Sequence, residues 1–75
     1  MKITYDPEAN AAYIQLVTRI APGEASEQVA EIETPGGKGE IILDFDSTGR
    51  LLGIEVLNAQ DVLPAEVIQN ATTPR

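Results

Sequence analysis

Apolar and polar residues alternate along most of this chain, and each alternating stretch ends at a cluster of Gly, Pro, Asn or Asp. Residues 2–5 put Ile3 and Tyr5 on one side, which predicts a short strand. Asp6, Pro7 and Asn10 supply turn chemistry, and residues 12–17 follow as a second strand with Ala12, Ile14 and Leu16 in phase. The short link makes the two an antiparallel hairpin. Residues 26–33 predict a third, weaker strand, with Glu27, Glu31 and Glu33 on one face and Gln28, Ala30 and Ile32 on the other. A helix over 25–32 is the alternative, because Ala, Glu and Gln favour helices, but a small sheet needs the extra strand to cover its core. Pro35 and three glycines then force a loop over 35–39.

Residues 40–46 and 51–57 form the strongest pair. Pairing Asp46 with Leu51 sets Phe45 beside Leu52, Leu43 beside Ile54 and Ile41 beside Val56, and a one-residue slip would destroy that apolar face. Beyond it, Asn58 can cap a short helix with Asp61 three residues on, and Pro64 suits the first position of a second one ending near Asn70. Residues 71–75 are expected to fray. The predicted fold is a small α+β domain over residues 1–75. An antiparallel β-meander of four to five strands carries one or two short C-terminal helices over 58–70. Its core comprises Ile3, Tyr5, Ile14, Leu16, Leu43, Phe45, Leu52, Ile54 and Val56. Tyr13 faces away from that core, as a cross-strand neighbour of Thr4.

Length and composition narrow the function. Seventy-five residues make one domain, and a chain this short buries only about 60% of its unfolded surface. Without Cys or His there is no disulfide, no thiolate or imidazole metal site and no Ser–His or Cys–His pair. Self-association is the expected supplement to so small a core: Ile42, Leu51 and Leu57, on the face opposite it, need cover from either the C-terminal helix or another chain, and a homodimer through them or the tail is expected. Five basic residues against twelve acidic ones give a net charge of −7, which disfavours nucleic acid and anionic membranes as partners. No stretch reads as a signal peptide or a membrane span, so a cytoplasmic location is expected. Seven acids lie between positions 24 and 46, and Glu27, Glu31 and Glu33 among them suit a small basic protein partner.

Two further patterns stand out. Residues 5–17 align without a gap on residues 45–57: an aromatic-Asp start and an Ile-x-aliphatic finish occur in both. The same hairpin is used twice. Second, Asp44-x-Asp46-x-Thr48-Gly49 with Glu55 matches the ligand spacing of an EF-hand calcium loop. That loop needs flanking helices, whereas these flanks alternate with period two. Asp44, Asp46 and Glu55 are therefore only weak metal candidates, and only a weak basis for carboxylate chemistry in a small-ligand or metal-dependent enzyme. The expectation is no catalysis and no cofactor. Gly36-Gly37-Lys38-Gly39 lacks both the spacing of a phosphate-binding loop and the Ser or Thr after the Lys.

The start Met1-Lys2-Ile3-Thr4-Tyr5-Asp6-Pro7-Glu8-Ala9-Asn10-Ala11-Ala12-Tyr13-Ile14 resembles a small bacterial family that opens MKI-x-YDPEAD-ALYI. The run from Ile42 to Leu57 resembles that family's second signature, YD-x-x-GR-x-x-GIEIL. The family is domain-of-unknown-function family 2283, and the resemblance covers about residues 1–60. Ala12, Phe45 and the Gly-rich loop at 35–39 depart from its pattern. It has no established activity or catalytic residues, so none carry over. Its members are often encoded beside small proteins proposed as toxins, so the resemblance implies a protein-binding, antitoxin-like role. A structural self-assembling domain is the remaining alternative.

Overall fold

A computed structural model describes residues 1–73. Five strands and two helices follow in order: β1 (Lys2–Asp6), β2 (Ala11–Gln15), β3 (Glu27–Glu33), β4 (Glu40–Phe45), β5 (Leu51–Leu57), α1 (Ala59–Val62) and α2 (Ala65–Asn70). The strands form one antiparallel sheet, as expected, and residues 27–33 are strand rather than helix. The order across the sheet is β1-β2-β5-β4-β3. The chain therefore does not meander through all five in sequence. It leaves β2, crosses to the far edge as β3, and returns through β4 so that β5 seats beside β2. The Gly-rich loop is tighter than a structureless link, with Pro35–Gly37 making one 3-10 turn.

The duplicated hairpin explains this order. Ile3 pairs with Ile14 and Thr4 with Tyr13, while the equivalent Leu43 pairs with Ile54 and Asp44 with Gly53. The first hairpin closes over Pro7–Asn10, with Asn10 left-handed at φ 51°, whereas the second is one residue tighter, with Gly49 at φ 86°. The residue removed from the second turn reappears as a bulge in β5, where Phe45 pairs with Leu51 and the expected Phe45–Leu52 pairing is displaced. The two hairpins meet along β2 and β5 at the Ile14–Ile54 pair, a residue facing its own repeat. A pseudo-two-fold axis thus passes through the middle of a four-stranded unit, with β3 added outside.

Antiparallel register sorts the side chains onto two faces. One face carries the rows Ile3–Ile14–Ile54–Leu43–Val29 and Tyr5–Ala12–Val56–Ile41–Ile32. The other carries Lys2–Gln15–Gly53–Asp44–Gln28, then Thr4–Tyr13–Glu55–Ile42, then Asp6–Ala11–Leu57–Glu40–Glu33. The helices sit over the second apolar row, and Ile14 and Ile54 of the first also pack against the core formed there. Tyr5, Ala12, Val56 and Ala59 are buried there, with Val62, Leu63, Ile68 and Ala71 packed against them. Of the expected core, Tyr5, Leu52 and Val56 are buried, Leu16 is exposed, and the rest are half-buried. Each fully buried aliphatic contributes roughly 1.5–3 kcal/mol, so the small number of them leaves a modest core.

The helical segment is fixed from the sheet. Asn58 precedes α1 in a left-handed conformation and makes no side-chain cap of its own, contrary to expectation. Asn10 caps the helix instead: its carbonyl accepts from the Ala59 amide at 2.9 Å and its Oδ1 from the Gln60 amide at 3.0 Å. The same Oδ1 accepts from the Tyr5 hydroxyl at 3.0 Å, so one turn residue ties the core tyrosine to α1. Nor is the start of the C-terminal tail frayed: Thr72 bridges to Thr4 in parallel, its amide donating to Ile3 and its carbonyl accepting from Tyr5. Pro74 and Arg75 lie outside the described residues.

Candidate functional site

Charge and hydrogen-bonding capacity concentrate on the polar face. β2 places Tyr13 beside Glu55, and its ring reaches diagonally across Gly53 to β4. There the hydroxyl donates to Asp44 Oδ2 at 2.9 Å, while Gln28 Nε2, from β3, donates to Asp44 Oδ1 at 2.9 Å. Only Gly53 leaves room for this, since a Cβ there would overlap the phenol. Burial, then the Asp44 hydrogen bond and the nearby Asp44 and Glu55 charges, push the Tyr13 hydroxyl up to about 12. The sequence offered no sign of this three-strand network, because its members are 16 and 31 residues apart.

The calcium-like spacing of Asp44, Asp46 and Glu55 does not become a cage. Asp44 spends its two oxygens on Tyr13 and Gln28. Asp46 turns into its own hairpin, Oδ1 accepting from the Arg50 amide, the Thr48 hydroxyl and the Thr48 amide. Those bonds, Arg50 first, hold its carboxyl below the usual carboxylate range. Glu55 sits across from Tyr13 and Ile42 in the middle of the sheet. Among the described residues, no group of three Asp, Glu, His or Cys is placed to hold a metal ion.

The acidic residues of β3 are arranged differently from their alternation. A bulge between Val29 and Ile32 puts Glu31 at φ 65° and shifts the phase of the strand. Val29 and Ile32, three residues apart, thereby both reach the apolar face, opposite Leu43 and Ile41. Glu27, Glu31 and Glu33 consequently do not share one face. Glu27 pairs with Phe45 at one end of the strand, and Glu33 with Glu40 at the other. Near that second end the Glu31 amide donates to the Glu40 carboxylate at 3.0 Å. Glu31, Glu33, Glu40 and Leu57 line a shallow concavity of about 570 Å³. All seven β3 residues are exposed, and β3 has a strand neighbour on one side only. Ile42, Leu51 and Leu57 are half-buried within the sheet. The helices pack on the opposite face and do not cover Ile42 or Leu57.

The duplicated hairpin with its paired turn aspartates falls inside the segment matched by a family model, described as protein of unknown function (DUF2283), which spans residues 2–60. The chain belongs to the DUF2283 family. No curated protein and no solved structure matches it. The DUF2283 segment contains all five strands and ends within α1, so the cover supplied by α2 lies beyond it. The charged network, the acidic concavity and the open strand all belong to the DUF2283 sheet. No helix among the described residues is long and apolar enough to cross a membrane.

Proposed function

We propose that this protein is an interaction module that takes up an extended, Lys- and Arg-bearing segment of a small basic protein along strand β3, masking its partner in the manner of an antitoxin. The observation that carries this reading is β3 itself: an edge strand exposed at all seven positions, bearing Glu27, Glu31 and Glu33. An edge strand offers a row of backbone donors and acceptors to an added strand, and alternate side chains then supply selectivity. Acidic residues discourage the edge from pairing with a copy of itself, by like-charge contact, while favouring a basic strand. The net charge of −7 extends that preference to the approach of the partner. With no basic DNA-reading segment in the chain, repression by this chain alone is disfavoured.

A carboxylate-based enzyme is the weaker reading. Asp44 commits both oxygens to hydrogen bonds within the sheet and Asp46 its Oδ1 to its own hairpin turn, and without His or Cys there is no Ser–His or Cys–His pair. The test is to co-express the chain with the product of an adjacent reading frame that encodes a short basic protein. The complex should co-purify, weaken with added salt, and slow the exchange of β3 amides. Charge reversal at Glu27, Glu31 and Glu33 should lower the association rate at least tenfold at low salt. A complex whose formation ignores both salt and these reversals would remove β3 as the binding element.

A further inference from the structure

We infer that the uncovered half of the apolar face is a self-association surface, on which a second copy of this chain packs face to face. The helices sit over the Tyr5–Ala12–Val56–Ile41 row. The neighbouring row, Ile3–Ile14–Ile54–Leu43–Val29, runs across all five strands, and the flanking Leu16 and Phe45 continue it away from the helices. Leu16 is 38% exposed and Val29 49% exposed, although both lie on the side of the sheet that elsewhere forms the core.

The chain as a whole exposes more surface than its mass predicts. A compact monomer of 8.0 kDa is expected to expose about 4,450 Å². This chain exposes 5166 Å². The excess, about 700 Å², is close to the roughly 800 Å² that each partner contributes to a standard interface. The molecule is correspondingly a slab, with extents of 32 × 26 × 18 Å. Packing a second sheet on such a face at about 10 Å would convert it into the interior of a sandwich.

Charge decides between the two faces and between possible occupants. The polar face carries Asp6, Glu33, Glu40, Asp44 and Glu55, so stacking it on itself would oppose five carboxylates with five more. The apolar face carries only Glu27, at its corner, among the strand positions in register. Apart from that corner carboxylate it offers no charge to attract the basic partner proposed for β3. It does suit an identical neutral surface, as a two-fold interface requires. Self-association was expected from the sequence through Ile42, Leu51 and Leu57; the exposed aliphatics place it on the other side of the sheet.

Sedimentation equilibrium of the full chain should show a dimer whose dissociation constant rises at least tenfold in Val29→Lys and Leu16→Lys. Ile42→Thr, on the polar face, should leave it unchanged. Methyl NMR of the wild-type chain with a soluble paramagnetic agent gives a readout that needs no variant. The methyls of Leu16, Val29 and Leu43 should be shielded at high concentration and bleached on dilution, with Ile42 and Leu57 indifferent to dilution. A chain that stays monomeric into the millimolar range, or a dimer that shields Ile42 and Leu57 instead, would overturn the inference.

Discussion

The ring of Tyr13 lies across Gly53, filling the space where any other residue would carry a side chain. The contact joins the two copies of the repeat, because Tyr13 and Gly53 occupy equivalent positions in hairpins β1–β2 and β4–β5. An aromatic laid over a strand glycine supplies the packing that the glycine lacks.

Gly53→Ala should therefore destabilise the domain by about 1–3 kcal/mol, as overpacking does. In a domain of this size, that lowers the thermal midpoint by at least about 4 °C. Combining Gly53→Ala with Tyr13→Ala should cost less than the two single changes summed, because the clash is then gone. Thermal unfolding followed by circular dichroism measures both. Strict additivity would show that the ring does not occupy this space.

The same ring makes stability depend on alkaline pH. The hydroxyl of Tyr13 ionises at about 12 in the folded chain against 10.0 in the ordinary case, raised first by burial and then by Asp44. A raised value means that the folded state holds the proton more tightly than the unfolded state between those limits. The stabilisation is fully present below pH 10 and is lost as pH rises through 12. Tyr13→Phe should flatten the fall in urea midpoint across that window, because it leaves no proton to lose. An unchanged slope would place the effect elsewhere.

How much of this was legible in the sequence varies by element. Alternation located all five strands, and the pairs Leu43–Ile54 and Ile41–Val56 were readable because a slip would have exposed them. The displacement of Leu52 was not, since a turn that is one residue tighter leaves no trace in the apolar pattern. Nor was the phase shift at Glu31: strict alternation put Ile32 and Val29 on opposite faces, whereas the bulge sets both on the apolar side, opposite Ile41 and Leu43 of β4. The repeat was visible, but not that its copies would pair through Ile14 and Ile54, because strand order depends on contacts across the sheet. Asp44 stood out for its calcium-like spacing and not for these partners, and only the fold joins it to Tyr13 and Gln28 as a network.

Asn10 is the single residue on which the C-terminal cover depends most. It holds a left-handed turn position at φ 51°, caps α1 through the Gln60 amide, accepts from Tyr5, and donates to Asn58 Oδ1 at 2.8 Å. Asn10→Ala leaves these partners unsatisfied and should cost about 1–2 kcal/mol. Asn10→Gly keeps the backbone conformation and should recover only the smaller, conformational share. Hydrogen exchange at Gln60 should accelerate in both variants, since both lose the capping oxygen. Retained protection there would mean that α1 is held by packing alone.

The last prediction separates stability from binding at Glu31. A left-handed conformation costs an L-residue with a Cβ roughly 1–2 kcal/mol, and Asn tolerates it better because its short side chain bonds locally. Glu31 adopts φ 65° with its side chain exposed, and the bulge it makes is held by its amide donating to Glu40. Glu31→Asn keeps that amide and relieves the backbone, so it should raise stability by up to about 1 kcal/mol. It also removes one of the three carboxylates assigned to the basic partner, so association should slow and become less sensitive to salt. Strain kept at a position that would be more stable as Asn is expected where the side chain serves recognition. Thermal unfolding and stopped-flow association on the same variant decide the matter. If Glu31→Asn gains stability and binds the basic partner as fast as the wild type, Glu31 belongs to the shape of the edge strand and not to its recognition of charge.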